Sequence, residues 1–236
     1  MMSRAGKFTS SQIYRLMSKG RGKWTVDNTG KAFETYVREK KWELKLGRSI
    51  NVESNARATS WGTLLEEQAF ENLSLKYSLD SKKRFYHPDY PDNWSGAPDL
   101  LADDVVGDIK CPFSLTGFAD LVEIIDIDDP VYFKQVKPDY YWQLVSNSIL
   151  CDKPTALFVV YVPYKSELDR SRDLAQDTTS IEPNKVAFVN WAADNELPNI
   201  PDNSEIKNVN MMQFEVPEDD KERLTQRVQK AIKLLN

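Results

Sequence analysis

Cysteine is scarce in this chain: two occur, Cys111 and Cys151, and neither stands in a C-x-x-C pair. A disulfide framework, a zinc ribbon and a cysteine-ligated iron–sulfur cluster therefore lack ligands, and reducing conditions suit the protein. Histidine is scarcer, with His87 alone. A Ser-His-Asp or Cys-His mechanism would have to run through it, and no nucleophile motif lies near. Long apolar runs are missing too. The longest, ALFVVYV from Ala156 to Val162, is far too short to cross a bilayer, and MMSRAGKFTSSQ at the start has no apolar segment of a secretory signal. No membrane association is expected, and the expected location is the cytoplasm. Internal repeats and low-complexity tracts are also absent.

What is present is an ordinary globular composition over 236 residues, enough for one sizeable domain. The net charge of -5 conceals an asymmetry. Residues 1–85 carry 17 Lys and Arg against 9 Asp and Glu, a balance of +8, whereas the remainder carries 14 against 27, a balance of -13. A basic part containing RGKW, REKKWELKLGR and SKKRF can track a phosphate backbone. Solvated helix faces are the plainer explanation of the same charges.

Periodicity supplies the elements. TSSQIYRLMS, with Thr9, Ser10 and Ser11 as N-cap candidates, predicts a short helix. Lys31 to Leu46 predicts a charged surface helix, and Ala56 to Tyr77 a helix with Leu64, Leu65, Ala69, Leu73 and Tyr77 on its inner face. Beyond HPDYPDNWSG, the stretches SGAPDLLA and VVGDIKCP read as a β-hairpin turning at Ala102, Asp103 and Asp104. Helices near Leu115 to Ile124 and Asp139 to Leu150 follow, then a buried strand at Thr155 to Val162. Val186 to Asn190 reads as a further strand, and the polar stretch Lys165 to Asn184 as a mobile loop. PEDDKERLTQRVQKAIKLLN opens with acids and closes with bases, as a helix dipole favours. This gives a basic helical part (1–85), a sheet core (86–165) and a loop with a C-terminal helix (166–236) within one domain.

The chemistry concentrates around GAPDLLADDVVGDIKCP. Side chains at i and i+2 of a strand share a face, so Asp108 and Lys110 point one way while Ile109 points into the core. Hairpin pairing can bring Asp99 to the same rim. Two carboxylates there repel unless a divalent cation lies between them, and oxygen ligands without a nearby histidine favour Mg²⁺ or Mn²⁺. A lysine beside such a cation can orient and polarise a water for attack on phosphorus. An exposed turn aspartate beside an edge-strand ion pair is the bland alternative.

Pro98-Asp99 followed by Asp108-Ile109-Lys110 resembles the PD-(D/E)xK signature of nucleases built on a mixed β-sheet flanked by helices, an α/β restriction-endonuclease-like core. Trp61-Gly62-x-x-x-Glu66, the run DIKCPF from Asp108 to Phe113 and Tyr140-x-x-Gln143 narrow the resemblance to the bacteriophage lambda exonuclease and YqaJ-type viral recombinase nucleases. It covers about residues 4 to 150. The resemblance implies a Mg²⁺-dependent 5′-to-3′ double-stranded DNA exonuclease that leaves 3′ overhangs for recombination by strand annealing. It implies Asp99, Asp108, Glu66 and Ile109 at the metal, Lys110, Glu66 and Gln143 in catalysis, and Arg4 and Ser11 at the 5′ phosphate. Its implied partners are double-stranded DNA ends, a single-strand annealing protein and two further copies in a homotrimer ring. Where the family has a serine before Pro-Asp that helps hold the terminal phosphate, this chain has Ala97. A related endonuclease, or an inactive DNA-binding module, are the alternative functions.

Other residues compete for roles. Glu67 adjoins Glu66 but is turned away by one helix step of about 100°, and is the alternative ligand. His87, in a turn-rich stretch, is expected at the surface or in a capping role. Cys111 reads as a small core residue. Trp24, Trp42 and Trp94 are candidates for stacking on bases, with core packing the commoner use of tryptophan.

Overall fold

A computed structural model describes residues 5–50, 57–73, 83–177 and 183–235. The chain opens with β1 (Phe8–Thr9) and a 3-10 helix (Ser10–Met17), then α1 (Lys31–Leu46) and α2 (Arg57–Leu73). Short strands β2 (Phe85–Tyr86), β3 (Trp94–Gly96) and β4 (Leu100–Leu101) lead into β5 (Val105–Lys110). Helices α3 (Leu115–Ile127), α4 (Pro130–Val136) and α5 (Pro138–Cys151) precede β6 (Thr155–Tyr161). Next come α6 (Leu168–Gln176), α7 (Pro183–Trp191), β7 (Val209–Glu215) and α8 (Glu218–Lys233).

The main sheet runs β4-β5-β6-β7 and is mixed, because β5 and β6 are parallel while the outer pairs are antiparallel. β1, β3 and β2 form a smaller sheet. Every residue of β6 is buried, and its alternation splits the core in two. Ala156, Phe158 and Val160 face one cluster with side chains of α3, α4, α5 and α8, whereas Leu157, Val159 and Tyr161 face another with α2, α6 and α7. An uninterrupted apolar run is what a strand covered on both faces requires. Among the described residues, no helix is long and apolar enough to cross a membrane.

Several expectations need correction. Val186 to Asn190 belongs to helix α7, because Val186 and Val189, a helical turn apart, are the residues its packing buries. A short apolar run carries no period that separates strand from helix. Within Lys165 to Asn184, the described residues are no loose loop: α6 buries Leu168, Ser171, Leu174 and Ala175 at helical spacing, while 178–182 lie outside the described residues. Strand β7 and helix α4 add to the elements expected. In β7, Met212 and Phe214 alternate inward, a signal present in VNMMQFE; in α4, Asp129 caps Val131 N–H at 2.8 Å ahead of Pro130. The expected ends of α2 at Ala56 and at 74–77 also fall outside the described residues.

Three smaller points follow from packing. Ser10 does not cap the 3-10 helix, since its Oγ lies 2.8 Å from Ser146 Oγ on α5. His87 is buried rather than at the surface, stacked between Tyr90 and Trp94, with Nδ1 accepting the Asp89 N–H at 3.1 Å. Trp94 is wholly buried and donates Nε1–H to Ser146 Oγ, so it is not available to a base.

Candidate active site

The hairpin β4–β5 builds the site. Leu100 pairs with Gly107 and Leu101 with Val106, and the Asp99 N–H donates to the Gly107 carbonyl at 3.1 Å. Gly107 permits this closeness: a Cβ there would lie 2.9 Å from Leu100 Cβ and 3.1 Å from the Leu157 carbonyl. Asp99 thus stands just ahead of β4, and its Oδ2 accepts the Ile109 N–H at 2.8 Å. The two acidic positions of the motif meet because the turn at 102–104 folds one half of it back on the other.

Parallel pairing of Asp108 with Phe158 and of Lys110 with Val160 puts both charged side chains on the face covered by α5. Asp108 is 1% exposed. Its Oδ2 lies 2.5 Å from Lys110 Nζ as an ion pair, without the geometry of a directed hydrogen bond. Gln143 on α5 bridges the pair: its Nε2 donates to Asp108 Oδ1, and its Oε1 accepts from Lys110 Nζ at 3.4 Å. The Lys110 ammonium also lies 5.0 Å from the centre of the Tyr140 ring, which stacks on Phe158 at 5.6 Å. Tyr140 and Gln143 sit one helical turn apart and face the same lysine, which gives the Tyr140-x-x-Gln143 spacing a geometric meaning.

The electrostatics follow from this crowding. Burial, then the neighbouring Asp108 and Glu66 carboxylates, raise the Asp99 carboxyl well above its ordinary range, outweighing Lys110 and the Ile109 N–H. For Lys110, burial works against the charge, but Asp108 and Asp99 prevail and hold the ammonium above its usual value. Burial, then Glu66 and Asp99, push the Cys111 thiol up, which keeps it protonated and inert.

Glu66 is half-buried on α2 while Glu67 is exposed. Trp61, fully buried on α2, meets Phe113 edge-on at 6.0 Å and so fastens α2 to the end of β5. Glu66 is thereby close enough for Asp99 and Cys111 to feel its charge. Among the described residues, however, no three Asp, Glu, His or Cys side chains converge as a metal cluster. The donor set still suits a hard cation: the adjacent Asp99 and Asp108 carboxylates, one with a buried oxygen lacking a directed hydrogen bond, and no histidine or thiolate beside them. Ile109 gives its side chain to the core and its N–H to Asp99.

Ser11 is exposed at the start of the 3-10 helix, which packs through Ser10 on Ser146, one turn along α5 from Gln143. Arg4 lies outside the described residues. Ser146 is a positioning residue that the motifs do not reveal: it ties Ser10 and Trp94 to the helix that carries Gln143. A serine within a helix gives no sequence signal for such a role.

Solved structures share this fold. The alkaline exonuclease LHK-Exo from Laribacter hongkongensis superposes with a TM-score of 0.62 at 18% identity, over 98% of this chain and 89% of that one. The same protein in complex with dAMP gives 0.63 at 18% identity over the same shares. A phage related exonuclease from Haemophilus somnus 129PT gives 0.64 at 14% identity, over 97% of this chain and 93% of that one. No protein-family model and no curated protein matches the chain.

Proposed function

We propose that this protein is a metal-dependent double-stranded DNA exonuclease that degrades one strand from its 5′ end and leaves a 3′ overhang. The observation that carries the reading is the convergence of Asp99, Asp108, Lys110 and Gln143 at the end of one sheet. The shared fold with an alkaline exonuclease and a phage related exonuclease supports the substrate class. Asp99 and Asp108 would hold Mg²⁺ or Mn²⁺, with Glu66 and the main chain of Ile109 as further oxygen donors. When bound, such a cation offsets the paired carboxylates and stabilises charge developing on the scissile phosphate.

The chain's own residues supply the rest. Lys110 keeps its proton on Nζ and presents a positive charge that orients a water and the phosphate oxygens. Gln143 holds Lys110 and Asp108 in register, and burial of Asp108 keeps bulk water from screening the pair. Ser11, which is exposed, would receive the 5′ phosphate together with Arg4, whose guanidinium forks onto phosphate oxygens. A ring of three copies, with the basic N-terminal parts turned toward the DNA, would resolve the charge asymmetry. A strand-annealing protein is the natural recipient of the 3′ overhang.

The test uses linear and covalently closed circular duplex with Mg²⁺, with Mn²⁺ and with excess EDTA. Degradation of the linear form alone, from the 5′-labelled end and abolished by EDTA, is expected. Cutting of the circle would make the protein an endonuclease, and full activity in EDTA would remove the carboxylate metal site.

A further inference from the structure

Of the tryptophans with the sequence features of a base platform, the structure leaves one in a position to act. Trp94 is enclosed, and Trp24 is packed against the Arg223 and Arg227 guanidinium groups, each 5.3 Å from its ring. Trp42, on α1, is 51% exposed, with the Lys45 ammonium 5.0 Å from its ring.

Helical geometry places Trp42 among cations. At about 100° per residue, Phe33, Tyr36, Val37, Lys40 and Glu43 form one face of α1, and these are its buried residues. Lys31, Arg38, Trp42 and Lys45 are exposed on the opposite face with Glu34, and the half-buried Lys41 and Glu39 flank it on either side. Arg38, Lys41 and Lys45 thus form a row of cations about one helical turn apart, some 5–6 Å, with the Trp42 ring beside them.

The inner face ties this row to the candidate active site. Glu43, fully buried, accepts both Lys40 Nζ and the Gly6 N–H at 2.9 Å. Tyr36 accepts the Thr9 N–H at 3.1 Å through its hydroxyl, and Phe8 and Thr9 pair with Trp94 and Ser95, a few residues ahead of Asp99. Gly6, at φ 77°, takes a left-handed conformation that favours glycine. A ligand on the outer face of α1 is therefore held in a fixed relation to Asp99.

We propose that the outer face of α1 binds single-stranded nucleic acid, with phosphates along Arg38, Lys41 and Lys45 and one base stacked on Trp42. Basic side chains alone would serve a duplex equally well; an exposed ring among them selects a strand whose bases are unpaired. The proposal deepens the exonuclease reading, on which it rests for the source of the strand, because such an enzyme converts duplex ends into unpaired DNA.

The experiment titrates the full chain with a short oligodeoxythymidylate in EDTA, following fluorescence anisotropy of the labelled strand and quenching of tryptophan emission. Trp42→Ala should weaken binding about tenfold. Trp42→Phe should largely retain binding but lose the quenching, since the aromatic face remains while the reporting indole is gone. Arg38→Glu with Lys45→Glu should weaken binding and flatten its dependence on salt concentration by about two phosphate contacts. Binding unchanged in Trp42→Ala, equal losses for duplex and single strand, or a drop in solution mass showing that α1 meets a second copy would each overturn the proposal. Preference for anionic lipid vesicles over the oligonucleotide would do the same. Duplex degradation with Mg²⁺ is measured alongside: wild type that cuts duplex while the α1 variants bind normally retains the nuclease reading and loses the surface. Wild type that binds through Trp42 but cuts nothing retains the surface and loses the nuclease.

Discussion

The Asp99 carboxylate accepts the backbone N–H of Ile109 at 2.8 Å, so it is anchored to the residue between Asp108 and Lys110. An asparagine at this position would keep an acceptor oxygen for this bond and lose the negative charge. Asp99→Asn should therefore hold its folding stability to within about 1 kcal/mol, while duplex degradation falls about a thousandfold, roughly 4 kcal/mol of lost transition-state stabilisation. Urea unfolding and initial rates on the same preparation check both halves. Wild-type rates in a folded Asp99→Asn variant would remove Asp99 from catalysis.

Gln143 acts through its neighbours, and its variant should show this as a split between kinetic constants. In Gln143→Leu, the buried Asp108 Oδ1 loses its donor and Lys110 loses the carbonyl that steadies it. On the proposed reading, in which Asp108 would be a metal ligand that Gln143 orients, the turnover number should fall about 10- to 100-fold, with KM for duplex little changed. A rise in KM at constant turnover would instead place Gln143 in substrate binding.

Away from the site, Asp220 of α8 joins three elements. Lys134 of α4 reaches its two oxygens at 2.6 and 2.7 Å, and the Tyr141 hydroxyl of α5 donates to it at 2.7 Å. Asp220→Ala should cost about 2–3 kcal/mol, chiefly because the buried Tyr141 hydroxyl loses its acceptor. Lys134→Met should cost more, since it leaves the buried Asp220 carboxylate without its cation, whereas Asp220→Ala leaves a lysine whose side chain is 28% exposed and can be hydrated. Equal losses in the two variants on thermal unfolding would contradict this ordering.

His87 links stability to pH. Burial between Tyr90 and Trp94 lowers its pKa below 6.5, with Asp89 as the opposing charge. As pH falls below about 6.5, the unfolded chain takes up the proton first, so the His87 contribution is intact above that pH and is lost as pH falls through the folded value. Denaturant midpoints should decline on that acid limb for wild type and decline less for His87→Phe. As the chain's one histidine, His87 also gives a single imidazole resonance for direct titration.

Much of the fold is legible in the order of the amino acids. The helix expected over Lys31 to Leu46 has those bounds, and the buried strand at Thr155 to Val162 is β6 to within a residue, because each carries an unambiguous period or apolar run. The hairpin of Asp99, Asp108 and Lys110 is legible because its parts are close in sequence and joined by an aspartate-rich turn.

Periodicity and local turns depend only on neighbouring residues, so they fix which segments bury apolar surface and where charge and chemistry concentrate. Contacts between distant segments settle the remainder. Val186 and Val189 became a helical face only against the α2 and α6 side of the sheet, and β7 became a strand by pairing with β6. Folding also enclosed Trp94 and left Trp42 open, a difference invisible in two tryptophans each set among polar residues. The contact of Gln143 with Asp108, 35 residues apart, exists because α5 lies across the face of β5. Such outcomes depend on which surfaces exclude water from one another, a matter between separate parts of the chain rather than within any one of them.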